Sequence, residues 1–114
     1  SGGELAVAHY RLGLLAARDG DDKVAEALFR AAIARSGDGL PTSHNNLGVV
    51  LARSGRLAEA EREFEIALGQ TSGAFAEATY NLRLCRSLRR SAAEGAPERV
   101  GLLKIVGLVD ALNR

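Results

Sequence analysis

The chain has 114 residues and a formal net charge of +1. That length is about one domain on a scale of roughly 100–200 residues per domain. The charge balance gives neither the basic field that nucleic acid attracts nor an acidic tail. One cysteine, Cys85, excludes an internal disulfide framework and a CxxC zinc cluster, and no apolar run approaches the roughly 18 residues of a membrane span.

The first predicted helix covers about 4–18, with Leu5, Ala8, Leu12, Leu15 and Ala16 at helical spacing. Gly20, Asp21 and Asp22 read as a helix stop followed by an acidic helix start. The second helix covers about 22–35, with Val24, Ala25, Leu28, Phe29, Ala32 and Ile33 as its apolar stripe. Residues 36–41 carry two glycines and then a proline, which makes a turn into the next helix. Helices over about 42–53 and 57–69 follow, separated by Ser54-Gly55, and a fifth runs over about 74–90. Residues 91–97 read as a loop. The tail, 98–114, is apolar on most sides through Val100, Leu102, Leu103, Ile105, Val106, Leu108, Val109 and Leu112. A helix that apolar is buried or partner-bound. It is expected to be a degenerate second helix over about 97–113 that caps the end of the structure, because Gly101, Ile105 and Leu108 share the spacing of Ala25, Phe29 and Ala32.

These elements repeat. At an offset of 35, Leu5, Leu40 and Phe75 align, as do Leu12, Leu47 and Leu82, and Leu15, Val50 and Cys85. The first two copies also match at Gly13/Gly48, Gly20/Gly55, Ala25/Ala60, Phe29/Phe64 and Ala32/Ala67. A period of this size signals stacked helical hairpins rather than one globule around a catalytic pocket.

The chain resembles the tetratricopeptide repeat (TPR) family, whose repeat of 34 residues carries W-x2-L-G-x2-Y…A-x3-F. The first copy reads His9-x2-Leu12-Gly13-x2-Ala16, then Ala25-x3-Phe29-x2-Ala32; the second reads His44-x2-Leu47-Gly48-x2-Leu51, then Ala60-x3-Phe64-x2-Ala67. The resemblance covers about 4–90. Histidine stands where the family has tryptophan, Ala16 and Leu51 stand where it has tyrosine, and Arg83 replaces the glycine of the third copy, which should loosen that hairpin or send the arginine to solvent. The resemblance implies an all-α fold, a short right-handed solenoid of antiparallel helix-turn-helix repeats over about 4–37, 40–72 and 74–90, closed by a C-terminal capping helix in a single domain.

It also implies a concave face lined by the first helix of each repeat, where partner peptides bind. Counting around those helices places Val7, Tyr10, Arg11, Leu14 and Arg18 inward, then Thr42, Asn45, Asn46, Val49 and Arg53, then Glu77, Tyr80, Asn81, Leu84 and Leu88. Asn46 and Asn81 are equivalent, 35 apart. A carboxamide offers both a donor and an acceptor, so the pair can read a peptide main chain whatever its side chains. They resemble the asparagine ladder of some superhelical TPR proteins. The competing reading is that they tolerate a wet groove or bond within the repeat. Arg11, Arg18 and Arg53 favour an acidic partner through charge-assisted hydrogen bonds, against the reading that they are solvated helix faces. The carboxylate clamp of chaperone-binding TPR domains matches only at Asn46, because Tyr10, Leu14, Glu77 and Asn81 occupy its other positions.

His9 and His44 lack the i, i+4 spacing of a metal pair and are expected to pack between helices, and Cys85 aligns with apolar residues as a buried thiol. Asp21-Asp22 and Glu59, Glu61 and Glu63 have ordinary helix-charge roles. No phosphate loop, HExxH or GxSxG is present. Tyr10 and Tyr80 without a dense basic face do not make an RNA surface. The expected function is therefore a non-enzymatic adaptor or scaffold module. It would bind a protein or peptide without nucleic acid, metal or cofactor. The alternatives are an oligomerisation spacer that associates through the C-terminal helix, or a regulatory appendage of an enzyme. The chain has no methionine, so it is expected to be a processed or excised piece, with Ser1-Gly2-Gly3 as a cloning scar. A cytoplasmic compartment is the default only, since a leader or neighbouring domains would lie outside the sequence.

Overall fold

The computed structural model describes residues 2–36, 40–93 and 100–107. Among them are α1 (Gly2–Arg18), α2 (Asp22–Arg35), α3 (Pro41–Arg53), α4 (Leu57–Gln70), α5 (Ala76–Ala93), a 3-10 turn (Val100–Leu102), and no strand. Consecutive helices pack against one another along the chain, and α3 additionally meets α5 and the 3-10 turn. The result is an all-α, repeat-like fold. Residues 37–39 of the expected turn at 36–41 lie outside the described residues, as do 94–99 and 108–114.

The two complete repeats close in the same way. α1 ends on Gly20 and α3 on Gly55, with φ of 81° and 83°. This left-handed conformation is one that glycine adopts without a Cβ penalty. Main-chain N–H groups then bond back across the turn, Asp21 to the Ala16 carbonyl at 2.9 Å and Arg56 to the Leu51 carbonyl at 2.9 Å. Both bonds span the last helical turn, and they satisfy carbonyls that the helix end would otherwise leave open.

Within each pair a phenylalanine fills the space that a glycine leaves. Phe29 and Phe64 are fully buried. A Cβ on Gly13 would lie 2.7 Å from the Phe29 ring, and one on Gly48 would lie 2.5 Å from the Phe64 ring. The core joins these rings to Leu14, Leu47, Val49, Val50, Leu51, Leu82, Cys85 and Leu88.

Equivalent positions do not share one environment. Leu47 is 1% exposed and Leu82 8%, whereas Leu12 is 53% exposed. α3 packs on the preceding α2, and α5 on the preceding α4. α1 follows no described helix, and among the described residues nothing covers its repeat-facing leucine. Arg83, in place of the third glycine, is exposed, the second of the two outcomes expected for it.

The expected helix over about 97–113 does not form over the described part of the tail. Only Val100–Leu102 makes a single 3-10 turn, and 103–107 is neither helical nor in a sheet. Gly101 and Gly107 and the β-branched Val100, Ile105 and Val106 all weaken a helix there. Gly107 has φ of 89°, which no continuing right-handed helix contains. Within 100–107 the tail therefore does not form the expected capping helix, which was also the element named for the alternative of oligomerisation. Leu103 and Ile105 still meet the core, but from an irregular backbone.

Candidate functional site

The tail segment crosses the face shared by α1, α3 and α5. The side chains beneath it come mostly from two adjacent rows of equivalent positions: Tyr10, Asn45 and Tyr80, and, one residue later on α3 and α5, Asn46 and Asn81. Asn45, Asn46 and Asn81 are fully buried.

Each of two asparagines embraces one residue of the segment. The Asn46 carboxamide donates from Nδ2 to the Val106 carbonyl at 2.9 Å and accepts the Val106 N–H at Oδ1, 2.8 Å. Asn81 repeats the geometry two residues earlier, donating to the Lys104 carbonyl at 2.8 Å and accepting the Lys104 N–H at 2.7 Å. Consecutive side chains of an extended chain alternate sides, so a two-residue step per rung presents the same edge of the segment to each asparagine. Leu103 and Ile105, on the alternate positions, pack on the core.

A second layer of hydrogen bonds holds the carboxamides in place. Asn81 donates to Asn45 Oδ1 at 2.9 Å, and Asn45 donates to Asn46 Oδ1 at 3.2 Å. Asn45 also reaches the Lys104 carbonyl at 3.0 Å, and the Tyr10 hydroxyl donates to the Val106 carbonyl at 3.1 Å. Among the described residues no buried side-chain nitrogen or oxygen lacks a partner. A satisfied network of this kind fixes side-chain orientation, and removing one member exposes the cost of the others.

Two further contacts select side chains. Lys104 is exposed, and its Nζ stands 4.2 Å from the centroid of the Tyr80 ring, within cation–π range. A Cβ at position 107 would lie 2.8 Å from the Tyr10 hydroxyl oxygen, in addition to the strain of its positive φ.

The other expected groove residues divide between the core, the surface and contact with the segment, and Leu14 lies beneath the segment, where a Cβ on Gly107 would meet its Cδ1 at 3.4 Å. Leu14 and Val49 are core residues, and Leu84 packs against the core with partial exposure. Arg11 is exposed on α1, at the position equivalent to Asn46 and Asn81. Arg53 is corrected as a ligand-facing cation. It pairs with Asp22, through Nε at 3.1 Å and a second contact from Nη2, and it donates to the Ala17 carbonyl at 2.8 Å. It ties α3 to the preceding repeat. The acidic residue that captures it lies 31 positions away, and no local pattern announces the pairing.

The remaining polar candidates are structural. His44 is buried and meets Glu63 Oε1 at 2.9 Å, while His9 bonds the Leu5 carbonyl at 2.6 Å. The histidines thus use separate partners, and among the described residues no group of metal-ligating side chains converges. Glu61 bridges α4 to Arg86, at 3.2 Å, and to Arg89 on α5. Burial, with help from the Glu61 charge, pushes the Cys85 thiol up to about 11, which keeps it protonated at neutral pH.

Sequence reasoning placed Asn46, Asn81, Tyr10 and Tyr80 on one face but did not foresee that the chain itself would supply the segment they hold. The available signal was Gly107 and Gly101 in an otherwise apolar stretch. What the fold and the site define is a helical, repeat-like protein whose buried carboxamides grip the main chain of a non-helical segment. No family model, curated relative or solved structure matches the chain.

Proposed function

We propose that the chain is a TPR-type interaction module that binds an extended peptide across the face formed by α1, α3 and α5. The 35-residue period, the two Gly–Phe closures and the run of consecutively packed helices support a short solenoid of this type. The observation that carries the function is the two-rung pairing of Asn46 and Asn81 with main-chain N–H and C=O groups two residues apart. A carboxamide that satisfies both groups of one residue recognises a peptide independently of its sequence, and Tyr80 and Tyr10 then add side-chain preference. The role is that of an adaptor or scaffold rather than an enzyme. With Arg53 held by Asp22 and Arg18 paired with Asp19 at 2.9 Å, the acidic-partner expectation rests on Arg11, and the Tyr80 ring favours a cation instead.

Selection of binders from a displayed random-peptide library tests this reading. The selected peptides should lose binding to a chain carrying Asn46→Ala and Asn81→Ala while its helical circular dichroism spectrum persists. Binders indifferent to both asparagines would place recognition elsewhere and remove the proposal.

A further inference from the structure

The segment that fills the groove belongs to the same chain, so any partner must displace it. We propose that residues 103–107 are a tethered competitor for the groove, and that the partner it holds off is an extended peptide with the same pattern: apolar, cation, apolar, any residue, glycine. This rests on the groove reading above and adds to it a ligand class and a means of control.

Three observations carry the inference. The segment makes the contacts of a ligand rather than those of a packed tail, since both of its rungs pair through main-chain N–H and C=O. Its side chains are also individually seated. Leu103 is buried, Lys104 lies over the Tyr80 ring, and Gly107 occupies a place where a Cβ would press on Tyr10. Finally, the tether is short. Nine residues, 94–102, separate the end of α5 from Leu103, and a tether of that length gives a ligand an effective concentration on the order of millimolar. A free peptide making the same contacts binds only the fraction of molecules whose groove is open, and its apparent affinity falls by that fraction.

The test uses a fluorescent synthetic peptide copying residues 101–107, Gly-Leu-Leu-Lys-Ile-Val-Gly, and the full 114-residue chain. Binding is read by anisotropy. Gly107→Val and Lys104→Glu each weaken the seat of the internal segment. Lys104 is exposed, so its replacement disturbs no core, and it serves as the second variant should Gly107→Val fold poorly. Gly107→Val should bind the peptide at least about tenfold more tightly than the parent chain, and Lys104→Glu at least about threefold more tightly, the size of the cation–π contact it removes. Adding Asn46→Ala and Asn81→Ala should remove that binding. A peptide with glutamate in place of its lysine should bind the released variants at least about threefold more weakly, as loss of a cation–π contact requires.

Equal binding by the parent and both released variants would overturn the proposal. So would a parent dimer that Gly107→Val converts to monomer, since the segment would then be filling a second copy's groove. If the released variants ignored the peptide while library binders still required Asn46 and Asn81, the competitor would fall and the groove reading would stand. Peptide binding that survived loss of both asparagines would sink both.

Discussion

Asn46 and Val106, 60 residues apart, exchange two hydrogen bonds, Nδ2 to carbonyl at 2.9 Å and main-chain N–H to Oδ1 at 2.8 Å. The carboxamide is fully buried, so its donor and acceptor depend on partners within the protein. Leaving such a group unmade costs about 1–3 kcal/mol. Asn46→Ala should therefore unseat the segment without unfolding the helices. The Val106 amide should lose its hydrogen-exchange protection while the amides of α2 and α4 keep theirs. Unchanged protection at Val106 would contradict the pairing.

Leu12 and Leu47 hold the same position in successive repeats but differ in exposure, 53% against 1%. Leu47→Ala should destabilise the protein by about 2–5 kcal/mol, the range for a buried leucine that leaves a cavity. Leu12→Ala should cost well under about 1 kcal/mol, as for surface changes generally. Urea unfolding of the two variants distinguishes them, and equal losses would mean that α1 is covered by something on its outer side.

Gly48 and Gly69 should respond to alanine with opposite signs. A Cβ on Gly48 would lie 2.5, 2.8 and 2.9 Å from three atoms of the Phe64 ring, whereas one on Gly69 meets nothing within 4 Å. Gly48→Ala should lose about 1–3 kcal/mol through overpacking. Gly69→Ala, near the end of α4, should gain about 0.5 kcal/mol by restricting the unfolded chain. The two melting temperatures should move in opposite directions.

Cys85 is fully buried, and burial lifts its thiol from 9.0 to about 11. Since the thiolate is the reactive form, iodoacetamide at pH 8 should label the native protein far more slowly than the urea-unfolded one. The sign also sets an alkaline limit. The unfolded thiol loses its proton first, so stability contributed at this site is complete below pH 9 and declines as pH rises towards 11. Rapid native labelling would mean that the α4–α5 contact opens readily.

The repeat and the five helices were legible in the sequence because each is set by local chemistry. Periodic apolar positions fix a helix face, and glycine ends a helix where φ turns positive. The shared face of Tyr10, Asn46, Tyr80 and Asn81 was expected from the resemblance, since helical spacing orders residues on one helix while these come from α1, α3 and α5. The fates of Leu12, Arg53 and the tail were not, because each depends on a distant partner. Leu12 is exposed because no described helix precedes α1, and Arg53 is taken by Asp22 from the preceding repeat. The tail pattern fits a helix as well as an extended strand. The choice went to the irregular form where Asn46 and Asn81, brought together only by the packing of α3 and α5, offered its main chain the hydrogen bonds that a helix would otherwise have supplied.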